Sequence, residues 1–505
     1  MKRVLLIVID ALSSRHVQEA FSSGRLPHLR RLVELGTSRE ECTAVFPSIT
    51  PAATASLITG CYPVDHGIPG AFFYHRESDR VHYLGDDIWP ILHDGFGEYF
   101  RDFLVRLNQS VLRQPTLFER VEAAGRRASC LNYIFFHGIQ RHDVTVPWLL
   151  RLLPGVPRQA VVAGPERLYL GDLVDDEPDD IDAAEGDPTA PGGPLHRFGF
   201  NDESTAAMLL LQAHRGDWPD LTVAYFPEND FESHRSGPSA AIETVQRVDD
   251  HLGELFEESG GVESLLRRVA ILITGDHSQS DLVEDTNARG INLDDVLARE
   301  ALVPAGSAWD DEEQLMVCPN MRACQLYLRG SRSERLSGIV AKLAADERVD
   351  QVIWRETSKD DGDRFHVVRR DDEELTFWIA GADVARGEDA FGNRWNWTGT
   401  LAPVEAEVSP SGRIGYGPYP NALERIATSF PRPTAGDIWA TARVGYEFHL
   451  PETSVHRRGS HGSLHALDST SPLIFAGASE DDALRSEHVR TTDVADVCRR
   501  VLGIE

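Results

Sequence analysis

"MKRVLLIVIDALSS" (residues 1–14) sets Lys2 and Arg3 before an apolar run, Val4 to Ile9, that Asp10 cuts short. The run is too short for the hydrophobic centre of a secretory signal. Nowhere does the chain approach the roughly 18 uninterrupted apolar residues that a membrane span needs. The stretch therefore predicts a buried β-strand that ends in an acid. Similar short runs recur as "RASCLNYIFF" (127–136), "LTVAYFP" (221–227), "RVAILITGD" (268–276) and "SPLIFAG" (471–477). Between them lie helical patterns such as "PTLFERVEAAG" (115–125), "AIETVQRVDDHLGELFEE" (241–258) and a closing "TTDVADVCRRVLG" (491–503). Apolar strands alternating with amphipathic helices predict an α/β fold, with a mostly parallel central sheet covered by helices on both faces.

A chain of 505 residues exceeds what one hydrophobic core serves. Residues 1–311 and 429–505 read as the α/β core. Residues 312–428 break the pattern with the order β-α-β-β, which predicts a small inserted α+β lobe acting as a cap. Residues 171–192, "GDLVDDEPDDIDAAEGDPTAPG", lack apolar periodicity and read as an acidic, mobile surface loop.

The formal charge of -30 argues against a nucleic-acid duplex or an anionic membrane as partner. A small anionic substrate would then need local positive charge, for which bound metal is the obvious source. Six cysteines, without a CxxC pair or a dense framework, read as reduced thiols in a cytoplasmic protein. Oligomeric state is not legible.

The strand ends carry the chemistry. Asp10 closes the first run, and "PENDFESHRSGP" (227–238) places Asp230 and His234 four apart after another. "ITGDHSQSD" (273–281) puts Asp276 beside His277, and "RRGSHGSLHALD" (457–468) offers His461 before the last strand. In a parallel α/β sheet the carboxyl ends of the strands converge on one crevice. Three aspartates and three histidines meeting there would repel and shift one another's pKa values, and two divalent cations would satisfy them all.

One further stretch, "FPSITPAATASLITGCYPVDHGI" (46–68), puts Thr50 ahead of a helix of small residues, where a hydroxyl serves equally as helix cap or as nucleophile. With the four ligand motifs it appears in an order that resembles the alkaline phosphatase superfamily. The nearest branch is that of type I phosphodiesterases, nucleotide pyrophosphatases and phosphonoacetate hydrolase. The resemblance runs from residue 4 to residue 462 and leaves out the acidic loop and the inserted lobe. It implies Thr50 as nucleophile, counted back from Gly60. It further implies that Asp230, His234 and His461 hold one metal, and that Asp10, Asp276, His277 and the Thr50 oxygen hold the other. Nitrogen and oxygen ligands of this mix suit Zn²⁺, with Mn²⁺ still open. The implied reaction is hydrolysis of a phosphodiester or phosphoanhydride bond in a small, nucleotide-like phosphate ester, through a phosphothreonine intermediate. Phosphonate or phosphomonoester cleavage on the same scaffold is the alternative, followed by a non-catalytic metal-binding relative.

The chain departs from the family pattern at Ala53, where relatives often carry an Asn that donates to a phosphoryl oxygen. Losing such a donor costs about 2–4 kcal/mol of transition-state stabilisation. Ser48, Thr54 and the N–H groups around Thr50 are the candidate substitutes. No arginine lies between Glu40 and His75, which favours diesters over doubly charged monoesters unless an arginine arrives from elsewhere in the fold. Candidate substrate contacts are Phe73 and Tyr74, after the "DHGI" turn, and His137, Arg141 and His142, at the end of "NYIFFHGIQRH" (132–142). For each of these, ordinary packing is the competing reading.

Overall fold

The structure is a computed structural model. It describes residues 2–504 except 86, 176–187, 310–313, 330–331, 359–361, 371–372, 382–383 and 479–485. Most of the expected acidic loop, 171–192, thus lies outside the described residues.

The strand Arg3–Ile9 is central. It pairs in parallel with Val269–Thr274 on one side and with Leu221–Phe226 on the other. Its side chains alternate between two cores, as a pleated strand requires. Val4, Leu6 and Val8 pack with Ala55, Leu57, Val494 and Val497 of two helices on one face. Leu5, Ile7 and Ile9 pack with Val17, Leu29, Val245 and Leu252 of helices on the other. A run apolar at every position is therefore what a sheet covered on both faces demands.

Beyond Leu221–Phe226 follow Ala128–Leu131 and then Arg167–Tyr169, again parallel. The predicted strand at 127–136 is shorter than expected because Asn132 turns the chain with φ 60°. On the other side Thr470–Ala476 runs antiparallel to Val269–Thr274, with Thr274 opposite Leu473. Thr37–Thr43 and Val489–Arg490 complete the eight strands. The reversed strand positions the site, because its beginning lies at the edge where the parallel strands end. A motif that precedes this strand thereby reaches the same crevice as motifs that follow the others.

The expected helices form at Leu117–Ala123, Ile242–Glu258 and Asp493–Leu502. The first is closed by a reciprocal capping box between Thr116 and Glu119. A second sheet of ten strands runs from Leu315 to Ala442 in the chain, with the helix Arg332–Ala345 between its second and third strands in sequence. Its strand Ile438–Ala442 comes from beyond residue 428 and pairs with both Ala323–Leu328 and Val349–Ser358. Leu326, Ile438 and Ala440 belong to the same continuous hydrophobic cluster as Val4, Leu6 and Val8, so one apolar core runs from the first sheet through its covering helices to the second.

Candidate metal centre

Each site residue sits just past a strand or on a helix that follows one, except Thr50, which opens a helix. Asp10 follows Ile9, and its N–H donates to Phe226 O at 2.9 Å. Asp230 and His234 lie on the helix Glu228–Ser236, whose i, i+4 spacing puts both on one face. Asp276 and His277 follow Val269–Thr274. His461 follows the short strand Gly459–Ser460, which pairs with Ser280–Asp281 and so ties the two histidine loops together. Gly462, next to His461, has φ 118°, and a Cβ there would lie 2.8 Å from Asn320 O. Only glycine fits that approach.

Thr50 opens the helix Thr50–Thr59, but the cap position belongs to Ile49 and no side chain caps the helix. The Thr50 hydroxyl is therefore not spent on capping. Its Oγ1 lies 2.9 Å from His277 Nε2, which in turn is 3.3 Å from Asp10 Oδ1 and 3.7 Å from Asp276 Oδ2. Asp10, Asp276 and His277 bring one ligand atom each within 4.8 Å of one another, and so do Asp230, His277 and His461. His234 Nε2 stands 3.4 Å from Asp230 Oδ2, and His461 Nε2 stands 3.5 Å from Asp230 Oδ1. All seven residues implied by the family resemblance thus meet in one place. His277 lies between the two groups, its ring stacked 3.9 Å from that of His461.

The donor set fits divalent cations. Asp10 Oδ1, Asp276 Oδ2, His234 Nε2 and His461 Nε2 are buried with no hydrogen-bond partner among the described residues, an arrangement that is costly unless something binds there. The outward nitrogens are engaged instead: Nδ1 of His234 donates to Gly459 O at 2.8 Å, of His461 to Ser48 O at 2.7 Å and of His277 to Ser278 O at 3.1 Å. That fixes the tautomer and leaves each Nε2 with a lone pair for a metal. Tyr225 donates its hydroxyl to Asp10 Oδ2, and Gln279 donates to Asp230 Oδ1.

The electrostatics agree. Burial, then the charges of Asp276 and Asp230, push the Asp10 carboxyl well above its ordinary range. Burial raises Asp276 as well, and burial with the neighbouring His277 pulls His461 well below its usual value. Asp230 moves the other way: burial opposes ionisation, but His234, His461 and His277 together hold the carboxylate ionised. Added positive charge would relieve the acids at once.

Sequence reading missed the framework behind the ligands. Arg322, fully buried in the turn between the strands Leu315–Asn320 and Ala323–Leu328 of the second sheet, donates its backbone N–H to His461 O at 2.8 Å and its guanidinium to Asp468 and to Ser280 Oγ. Arg425, also buried, donates to Leu464 O at 2.7 Å and to Val45 O at 3.4 Å, joining the His461 loop to the segment before Thr50. Burial lowers its pKa to about 9. Single arginines far apart in the chain give no motif to read.

The candidate substrate contacts lie elsewhere in the packing. Phe73 is fully buried and stacks on His82 at 4.9 Å. Tyr74 donates its hydroxyl to Asp79 Oδ1 at 2.5 Å and packs on Tyr327. His137 and His142 bond the carbonyls of Asn108 and Pro165, both at 2.8 Å, while Arg141 is exposed on the strand Gln140–Thr145. Of the substitutes for the missing Asn, Ser48 Oγ is committed to Ser463 O at 2.7 Å and Thr54 Oγ1 to Thr50 O at 2.5 Å.

A helix opening on Thr50 and facing acids and histidines at the strand ends of an alkaline phosphatase-like sheet belongs to a phosphoester hydrolase. The family profile of type I phosphodiesterase / nucleotide pyrophosphatase matches residues 4–464, and the chain belongs to that family. Among solved structures, murine ectonucleotide pyrophosphatase / phosphodiesterase 5 superposes with a TM-score of 0.57 at 13% identity, covering 100% of this chain and 96% of that one. An inactive form of that protein, in complex with AMP, gives 0.58 at the same 13% identity, covering 100% and 96% of the two chains. Phosphonoacetate hydrolase from Sinorhizobium meliloti, in complex with phosphonoformate, gives 0.59 at 17% identity, covering 98% and 95%.

Proposed function

We propose that the chain hydrolyses a phosphodiester or phosphoanhydride bond in a small, nucleotide-like substrate, with Thr50 as nucleophile. The observation that carries this reading is Thr50 Oγ1 directed at His277, inside a buried acid–histidine set with four unpartnered ligand atoms. Asp10, Asp276, His277 and Thr50 on one side, and Asp230, His234 and His461 on the other, would hold two divalent cations, most suitably Zn²⁺. Bound there, the cations would supply Lewis acidity that eases ionisation of the threonine hydroxyl and offsets phosphoryl charge.

The chain's own residues do the rest. Thr50 Oγ1 releases its proton to water and attacks phosphorus in line; the Oγ1–P bond forms, the bond to the leaving oxygen breaks, and the leaving oxygen takes a proton from water. A phosphothreonine results, and water then cleaves its O–P bond and frees the hydroxyl. Two displacements retain configuration at phosphorus. Pro51 carries no N–H and Ala53 N–H donates to Ile49 O at 2.9 Å, so the N–H groups of Thr50 and Ala52, favoured by the helix dipole, are the remaining donors for the phosphoryl oxygens, given the commitments of Ser48 and Thr54. Residues 312–428 act in this reading as a lobe that caps and braces the catalytic core. All six cysteines are free, which supports a reducing, cytoplasmic setting. Among the described residues no helix is long and apolar enough to cross a membrane.

The test is Thr50→Ala: metal content should persist while turnover of bis(p-nitrophenyl) phosphate disappears. Unchanged turnover would refute the reading. Parallel assays with p-nitrophenyl phosphate and phosphonoacetate separate the diester reading from its monoester and phosphonate alternatives.

A further inference from the structure

The helix that carries Asp230 and His234 also carries an exposed aromatic. Phe231 follows Asp230 directly and is 45% exposed. The Arg197 guanidinium lies over its ring, with Cζ 3.8 Å from the centroid. Arg197 is itself exposed and makes no ion pair among the described residues, in a chain whose formal charge is -30.

Its placement is held from both sides. Arg197 and Phe198 both adopt left-handed backbone, φ 50° and 54°, a conformation that non-glycine residues keep only where the surroundings impose it. Here Phe198 N–H donates to Gly193 O at 2.8 Å, and Phe198 O accepts from Asp172 N at 2.7 Å. Asn132, at the carboxyl end of the strand Ala128–Leu131, donates to Gly199 O at 2.9 Å. The segment is thereby pinned to the edge of the sheet where the metal centre lies. Neighbouring Cα atoms are about 3.8 Å apart, so the backbone that carries Phe231 lies one residue from that of Asp230, with the two side chains projecting from different sides of the helix Glu228–Ser236.

We propose that Arg197, seated on Phe231, binds a second anionic group of the substrate, beside the phosphoryl group engaged by Thr50. This deepens the phosphodiesterase reading and rests on it. The ligand class is a phosphodiester or phosphoanhydride whose organic portion carries a carboxylate or a further phosphoryl group. A guanidinium offers a planar fork of donors matched to such groups, and a ring beneath it reduces the freedom lost on binding. The anchor of Arg197 on the Asp230 helix, away from the nucleophile helix, assigns this arginine to the organic portion and not to the scissile phosphate.

The experiment compares methyl p-nitrophenyl phosphate with 2-carboxyethyl p-nitrophenyl phosphate, which differ by one carboxylate. The metal-loaded wild type should prefer the carboxylated ester. Arg197→Ala should raise KM for that ester by about tenfold or more, the loss expected for a charge-assisted hydrogen bond, and leave the methyl ester within about twofold. Arg197→Lys should keep part of the preference, and Phe231→Ala should weaken it in the same direction. Equal losses on both esters, or a wild type without the preference, would overturn the proposal. If neither ester is turned over, the phosphodiesterase reading fails and binding decides this one. In metal-loaded Thr50→Ala, calorimetry should show 2-carboxyethylphosphonate binding more tightly than ethylphosphonate, and adding Arg197→Ala should abolish the difference. No difference before that substitution overturns the proposal.

Discussion

Arg322 and Asp468, 146 residues apart, form a buried ion pair beneath both histidine-bearing loops. Asp468 also accepts from Ser280 Oγ at 2.8 Å, and from Ser463 N and Oγ at 3.0 and 2.6 Å. One carboxylate thereby fastens the loop after His277 to the loop after His461, and the guanidinium fastens both to the second sheet.

Breaking this pair from one side leaves an uncompensated buried charge, which costs about 3–5 kcal/mol. Arg322→Met and Asp468→Asn should each lower the unfolding midpoint and weaken metal retention in competition with a chelator. The double variant Arg322→Met/Asp468→Leu should regain part of the stability, because no lone charge remains. It should not regain metal retention, since the loops are still untied. Chemical unfolding and zinc release, measured together, separate the two effects.

Thr50→Ser keeps the hydroxyl and removes a methyl group, and the helix start does not depend on the side chain because Ile49 holds the cap position. The variant should fold with unchanged stability, bind metal and retain a measurable part of kcat. Thr50→Ala should fold and bind metal equally well with kcat below about a thousandth of wild type, the scale of losing an activated nucleophile. A Thr50→Ser variant as inactive as Thr50→Ala would show that the site tolerates no change in hydroxyl placement.

The convergence of the site's acids and histidines was legible in the sequence because each of them breaks a pattern. Asp10 ends an apolar run, and Asp230 and His234 share a helix face directly after another. Fold class was legible for the same reason, since runs apolar on both faces demand cover on both. The direction of Thr470–Ala476 was not legible: periodicity shows that a strand forms, not which way it pairs, and pairing placed His461 at the crevice. The tie between the two histidine loops was not legible either, because Ser280 pairs with Ser460, a contact between distant segments. Phe73 and Tyr74 illustrate the opposite difficulty, because an aromatic pair after a turn looks the same whether it faces a substrate or a core.

Asp202 gives a pH dependence with a definite sign. Burial, and then the charge of Glu228, raise its pKa from 3.8 to about 8. The native state therefore keeps a proton that the unfolded chain has released across that interval. Stability contributed by this group is full below pH 3.8, falls as pH rises and is gone above about pH 8. Over the interval the slope approaches about 1.4 kcal/mol per pH unit. Asp202→Asn has no proton to lose and should flatten stability between pH 5 and about 8 by urea unfolding. An unchanged slope in the variant would assign the pH dependence to other groups.

Metal removal should destabilise the protein beyond the loss of binding energy itself. Burial and then the charges of Asp276 and Asp230 raise the pKa of Asp10, burial and the charge of Asp230 raise that of Asp276, and four buried polar atoms of the cluster have no hydrogen-bond partner among the described residues. Chelation should therefore lower the thermal midpoint at neutral pH, and zinc should restore it in a concentration-dependent way as mass action requires. The gap between loaded and stripped protein should narrow toward acid pH. There the raised carboxyls of Asp10 and Asp276 take up protons in the stripped protein and relieve their repulsion, while the same protons compete with metal in the loaded one. Thermal scans of both forms from pH 5 to pH 8 check this, and a gap that widens toward acid would contradict the assignment of these acids as ligands.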